Sequence, residues 1–182
     1  MKKLLLLLIS LCLIFGCAAA ADKRSLKDLP KSDFSVEIPA GWWKPQYVNK
    51  YLITKDGPFL QYVLIQQRPI DRPFKNTNKK LRKRMLPLES ARIIIDEIAS
   101  DRNITNFKAV ENTPAIIDGH AGFKILFTYK DKKGSLFKTL YYGFISNNTF
   151  FNLRYNAAIR QYYNKDIADF KKILSSFKLV EG

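Results

Sequence analysis

The sequence predicts an α+β domain, an antiparallel β-sheet flanked by helices, and three observations carry that prediction. The second half strings apolar segments together through tight turn dipeptides, which join hairpins rather than crossovers. Two segments, beginning near Pro87 and Asn164, carry apolar residues at helical spacing. Strand-like runs precede the first of them, so hairpins dominate and the helices must lie on a sheet.

Taken in order, Phe34-Ser-Val-Glu-Ile38 alternates apolar and polar residues and stops at Pro39-Ala-Gly41, a strand running into a turn. Trp42, Trp43 and Tyr47 follow, bulky aromatics suited to closing one end of a core. A short strand is expected at Tyr51–Thr54, ended by Asp56-Gly57. A stronger one covers Phe59–Arg68, apolar on both faces as in a central strand. Ile70 to Arg84 holds no periodicity and reads as an inserted loop or hairpin, part of a basic stretch at about 68–86. Pro87 suits the first turn of a helix, whose stripe is Leu88, Ala91, Ile95, Ile98 and Ala99, widened by Ile93 and Ile94, ending near Arg102-Asn103.

Phe107–Glu111 and Ala115–Ile117 are expected as two short extended pieces, and Asp118-Gly119 as a turn into a strand at Phe123–Tyr129. Asp131-Lys-Lys-Gly134 turns again, Leu136–Ser146 runs back, and Asn147-Asn148 turns into Phe150–Tyr155. Asn164 is placed to cap the last helix, with Asp166 favoured by its positive end and Ile167, Phe170, Ile173 and Leu174 facing the sheet. Phe177–Val180 closes the chain as an edge strand.

Ahead of this single domain, 33–182, lies a leader. Lys2 and Lys3 precede an apolar run from Leu4 to Phe15, about a dozen residues, where a membrane span needs about 20. A cleaved signal, 1–16, is therefore expected. Ile14-Phe15-Gly16-Cys17 resembles the lipobox of bacterial lipoproteins, which makes Cys17 the acyl acceptor, 17–32 a tether, and the address the cell envelope. Ala18 lacks the acidic character of inner-membrane retention, so the outer membrane facing the periplasm is expected where there are two membranes. An ordinary small-x-small cleavage site at Ala18–Ala21 is the alternative. The two cysteines are Cys12 and Cys17, so after processing no disulfide, thiol nucleophile or cysteine metal site remains in the domain.

Phe34-Ser-Val-Glu-Ile-Pro-Ala-Gly-Trp42, Asp118-Gly-His-Ala-Gly-Phe123 and Phe170 through Ser176-Phe177-Lys178 are spread across nearly the whole domain. On these residues the chain resembles the PsbP-like group (Mog/PsbP/DcrB-type), which includes the extrinsic photosystem II subunit and many bacterial relatives. The resemblance implies an α/β/α sandwich and an accessory or assembly role without catalysis. It does not bring the photosystem role, for which no residue set is matched.

The residues themselves offer no catalytic, cofactor or metal site. His120 is the single histidine and sits beside a predicted turn, read as exposed; one histidine without cysteines or clustered carboxylates cannot build a usual zinc or iron site. No serine lies in a nucleophile elbow, and the glycines are scattered, with no phosphate loop. A hydrolase would need two of Glu89, Asp96, Glu97 and Asp101, or His120 with one of them, in a cleft; Glu97 with Asp101 reads as a solvated helix face.

Charge points further. The formal net charge is +15, and Arg68, Arg72, Lys75, Lys79, Lys80, Arg82, Lys83 and Arg84 face a single acid, Asp71, within one stretch. A solvated loop is the plain reading. The functional one is contact with an anionic envelope partner, whether lipid headgroup, glycan or acidic protein, each base adding about 1 kcal/mol near an acidic surface; Phe74, Leu81 and Met85 are placed to dip among headgroups. Nucleic acid suits basic tracts but not an exported protein. An apolar-ligand or lipid carrier, with a cavity lined by Trp42, Trp43, Tyr62, Tyr141 or Tyr142, is the alternative.

Overall fold

A computed structural model describes residues 33–45 and 51–180. The leader, Cys17, the tether and Tyr47 lie outside the described residues. The elements are β1 (Phe34–Ser35), β2 (Tyr51–Ile53), β3 (Gln61–Pro69), α1 (Pro87–Ala99), β4 (Ile104–Ile117), β5 (His120–Asp131), β6 (Leu136–Ser146), β7 (Thr149–Ala158), α2 (Tyr163–Ser176) and β8 (Lys178–Leu179). Six strands form one sheet in the order β2-β3-β7-β6-β5-β4, every neighbouring pair antiparallel, and β1 pairs with β8 apart from it. This is the α+β architecture expected.

The turns explain the meander. Asp118 and Gly119 have φ of 47° and 76°, and Asn147 and Asn148 have 46° and 62°. Two-residue hairpins of this type have both central residues left-handed, which matches the twist of the strands and which asparagine, aspartate and glycine tolerate.

Alternation then divides the sheet into two apolar faces. Val63, Ile65, Leu153, Tyr155 and Ala157 pack beneath Phe170 and Ile173 of α2. Phe123, Ile125, Phe127, Tyr141 and Phe150 pack on the other face beneath Ala91 and Ile94 of α1, together with Ile70, Phe74 and Leu81 of the loop before it. The result is an α/β/α sandwich in which a loop shares one outer layer with α1. Gly143 is required in this face, because a Cβ there would lie 2.6 Å from the Phe123 ring and 2.9 Å from that of Phe150.

Several elements differ from expectation. The pieces at 107–111 and 115–117 are one fourteen-residue strand, β4, with irregular register between Thr105 and Lys108 and between Ala109 and Glu111. Pro114 is tolerated within it because β4 is a sheet edge, where a missing N–H breaks no ladder. Helix α1 ends at Ala99 rather than near Arg102, the Asp101 carboxylate accepting from the Asn103 backbone and side-chain N–H at 2.9 and 2.7 Å. Its buried residues are Ser90, Ala91 and Ile94, with Leu88 exposed, since the loop as well as the sheet covers it. Asn164 lies inside α2, which has Tyr162 at its N-cap. Phe59 and Leu60 precede β3 in a turn, where Phe59 is exposed.

Candidate functional site

The basic stretch is tied down along its length. Arg68, at the end of β3, donates to the carbonyls of Arg72 and Pro73 and lies 3.9 Å over the Phe74 ring. Phe74 N–H donates to Lys79 O at 2.8 Å and Asn78 N–H to Phe74 O at 3.0 Å, closing a tight turn. Leu81 N–H donates to Ile70 O at 3.1 Å. The Glu97 carboxylate of α1 receives Asn76 N–H, Thr77 N–H and the Thr77 hydroxyl at 2.9–3.1 Å. Three donors on one carboxylate make it the main polar fastening of the loop. Glu97→Ala is expected to speed hydrogen exchange at Asn76 and Thr77 about tenfold, the loss of about 1.4 kcal/mol of local stability; exchange unchanged within twofold would remove this role.

Phe74 and Leu81 are buried and Met85 is half-buried against the same core, so these apolar residues are not free to enter a headgroup region. The loop has no period because its anchors face three different partners: sheet, helix and its own turn. Arg72, Lys75, Lys80, Arg82, Lys83 and Arg84 are exposed, Lys79 pairs with Asp96 at 2.6 Å, and Arg68 is half-buried, with burial pulling its pKa below the usual arginine value.

Beneath this loop, between α1 and the β3–β7–β6 part of the sheet, lies a cleft that the sequence reading did not identify. It consists of adjoining cavities of about 380 and 290 Å³, both bordered by Glu97, Ile98 and Arg154. The first is also lined by Arg68, Arg72, Lys75, Tyr141 and Asn152. Arg154 stands opposite Leu64 on β3 and Tyr141 on β6, while Asn152 stands opposite Gln66 and Gly143. The Tyr141 phenol is pushed up by burial, against the pull of the Arg154 and Arg68 charges. At the far end Asn156 Oδ1 accepts from the Tyr129 and Thr139 hydroxyls at 3.0 and 2.7 Å. The readable signal was Phe150-Phe-Asn-Leu-Arg-Tyr-Asn156, where every second residue from Asn152 is polar within a strand that has neighbours on both sides.

The aromatic set proposed for a carrier does not share a cavity. Tyr141 and Tyr142 are successive strand residues on opposite faces, Tyr62 lines the second cavity, Trp42 is buried with its Nε1 donating to Asp169 at 3.1 Å, and Trp43 is exposed. Among the carboxylates, Glu97 and Asp101 both border the second cavity, but their oxygens hold Asn76, Thr77 and Asn103 in place. Glu97 is therefore a loop fastening, not a solvated face. Glu89 accepts from Leu86 N–H at 3.2 Å at the start of α1. His120 is half-buried, not exposed: Nδ1 lies 2.8 Å from Asp118 O and Nε2 3.3 Å from the Ser146 hydroxyl.

This sheet with its two flanking layers defines a PsbP/Mog1-like fold. Cyanobacterial PsbP (CyanoP) from Synechocystis matches with a TM-score of 0.59 at 10% identity, over 90% of this chain and 96% of that one. The Ran-binding protein Mog1 of Saccharomyces cerevisiae matches with 0.57 at 8% identity, over 89% and 97%. LpqN, involved in cell envelope biogenesis of Mycobacterium tuberculosis, matches with 0.56 at 12% identity, over 90% and 88%. At such identities the likeness is one of fold alone. No family model and no curated protein matches the sequence.

Proposed function

We propose that this chain is a lipid-anchored envelope protein with a non-catalytic, accessory role, whose basic loop holds an anionic partner in the envelope. The carrying observation is that the loop buries Ile70, Phe74 and Leu81 and presents most of its bases. Phe74 and Leu81 fix the backbone from within, and Lys80, Arg82, Lys83 and Arg84 flank Leu81 on the outside. The charges are therefore ordered before contact, and less conformational entropy opposes binding.

Placement supports the same reading. Ile70, to which Leu81 is bonded, itself donates to Asn148 O at 3.0 Å, at the sheet end formed by the Asn147-Asn148 turn. Asp33 sits at that end too, accepting from Gln67 Nε2 at 3.1 Å and from Val180 N–H at 2.9 Å. A lipid on Cys17 is sixteen residues from Asp33, at most about 55 Å of extended chain. Anchor and loop would then act together, a tethered charge contact being effectively intramolecular. The fold shared with LpqN, a protein of envelope biogenesis, agrees with this address.

The test is sedimentation of the leaderless chain with phosphatidylglycerol-containing vesicles at low salt. Changing Lys79, Lys80, Arg82, Lys83 and Arg84 together to Gln is expected to weaken binding at least about tenfold, since each base contributes up to about 1 kcal/mol and Lys79 is already paired. Equal binding by both proteins would sink the reading. For the anchor, Cys17→Ala is expected to release the protein from membranes under a high-salt wash; retention would refute acylation.

A further inference from the structure

The cleft beneath the loop carries polar groups that the fold leaves unused. Asn152 is 4% exposed, its Nδ2 reaches Gln66 O only at 3.5 Å, and its Oδ1 is buried with no partner. Arg154 is half-buried, its Nε is likewise enclosed without a partner, and its guanidinium makes no hydrogen bond or ion pair among the described residues, lying 6.0 Å from the Tyr62 ring. Tyr141, 5% exposed, also makes no hydrogen bond among the described residues. A buried Nε–H and a buried amide oxygen left without partners are costly unless something supplies them. The fold shows that it can satisfy such groups, since Asn156, one inward position further along β7, is bonded by two hydroxyls.

The charge balance says what would satisfy Arg154. Arg68, Arg72, Lys75 and Arg154 line the first cavity, and its one carboxylate, Glu97, is already engaged by Asn76 and Thr77. We propose that this cleft is a binding site for a small organic anion, a carboxylate or phosphate monoester bearing a hydrogen-bond donor. Arg154 takes the anionic oxygens, Tyr141 adds a hydroxyl, and Asn152 Oδ1 accepts from the ligand's donor. A cleft of a few hundred Å³ with few convergent polar groups is the usual form of a small-molecule site, and arginine is the residue suited to bidentate contact with carboxylate or phosphate. The site is separate from the outer bases: Arg154 is half-buried in the cleft, while Arg82, Lys83 and Arg84 are exposed and do not line it.

The test uses the full chain, 15N-labelled and purified in a neutral detergent, titrated separately with N-acetylglycine and with glycerol 3-phosphate, the carboxylate and phosphate arms. The Arg154 Nε–H and Asn152 side-chain amide resonances are expected to shift saturably with at least one probe. Arg154→Gln is expected to weaken that binding at least about tenfold, the loss of one charged hydrogen-bonding group. The Arg82→Gln, Lys83→Gln, Arg84→Gln triple variant is expected to bind it within about twofold of the parent. Should Arg154→Gln fail to fold, Asn152→Asp, which sets a carboxylate against the anion at nearly constant shape, is expected to abolish binding. Linear shifts without saturation, no shift with either probe, or equal loss in the triple variant would overturn the proposal. Vesicle binding by Arg154→Gln stays intact in either case, so this result and the membrane reading fail independently.

Discussion

Phe170→Ala is expected to lower the free energy of unfolding by about 3–5 kcal/mol, the largest effect of any single change considered. Phe170 is fully buried at the centre of α2, its ring 5.8 Å from Tyr155 at an interplanar angle of 20° and 6.2 Å from Tyr142. Loss of the ring removes its transfer free energy and leaves a cavity as well. How far the cavity collapses decides the cost, and here collapse is obstructed. Tyr155 is held by its own hydroxyl, which donates to Tyr162 O at 2.6 Å, and by the Tyr163 ring, 5.6 Å away. Urea denaturation with an unchanged slope is the measurement; a loss below about 1 kcal/mol would show that α2 is not held by this face.

Phe170 was legible in the sequence because one repeating direction, helix face to sheet, determines it. The same holds for β6, whose bounds Leu136–Ser146 are as read, and for the turns at Asp118-Gly119 and Asn147-Asn148, where the backbone demands residues that accept positive φ. Position 114 shows the opposite case. Proline broke the pattern and divided β4 in two, yet an edge strand has one unpaired side and admits it. Edge or centre is a property of the whole sheet, and no local window contains it.

The site was legible only as charge. Eight bases could be counted from the chain, but which of them serve the fold could not: Arg68 straps its own loop, and Lys79 holds Asp96. Phe74 and Leu81 read as membrane-seeking because nothing near them in sequence offers a core, and the core they enter is built by β5, β6, β7 and α1. From the sequence Arg154 had no role of its own; it belongs to the polar half of the alternation Asn152-Leu-Arg-Tyr-Asn156. Its meaning arises from β3 and β6 lying on either side of β7, which leaves that polar half facing a cleft rather than open solvent.

Asp166→Ala is the second large effect, an expected loss of about 2–3 kcal/mol. The sequence placed Asp166 at the positive end of α2, where an exposed carboxylate gains only about 0.3–1 kcal/mol. In the structure it is 2% exposed and central to a polar cluster. Its Oδ1 receives Lys55 Nζ and its Oδ2 receives Gln61 Nε2, both at 2.9 Å, while Asp169 receives Lys55 at 3.3 Å and Trp42 at 3.1 Å. Removing the carboxylate strips Lys55 and Gln61 of a partner where Gln61 Oε1 already has none. Lys55 is 31% exposed and can turn towards water, which keeps the cost below that of a fully buried pair.

The dependence on pH gives this prediction a sign. The bond to Asp166 raises the Lys55 pKa above the ordinary 10.5, with burial opposing it and the Asp166 charge and Asp169 adding to it. A base whose folded pKa is raised contributes fully below its unfolded pKa and loses that contribution as pH rises through the folded value. The difference between wild type and Asp166→Ala is therefore expected to stay level across neutral pH and to shrink above 10.5. A difference that grows with alkaline pH would show that Lys55 is not the partner that matters. Vesicle binding is expected to be unchanged in this variant at neutral pH, because α2 and the basic loop lie on opposite faces of the sheet.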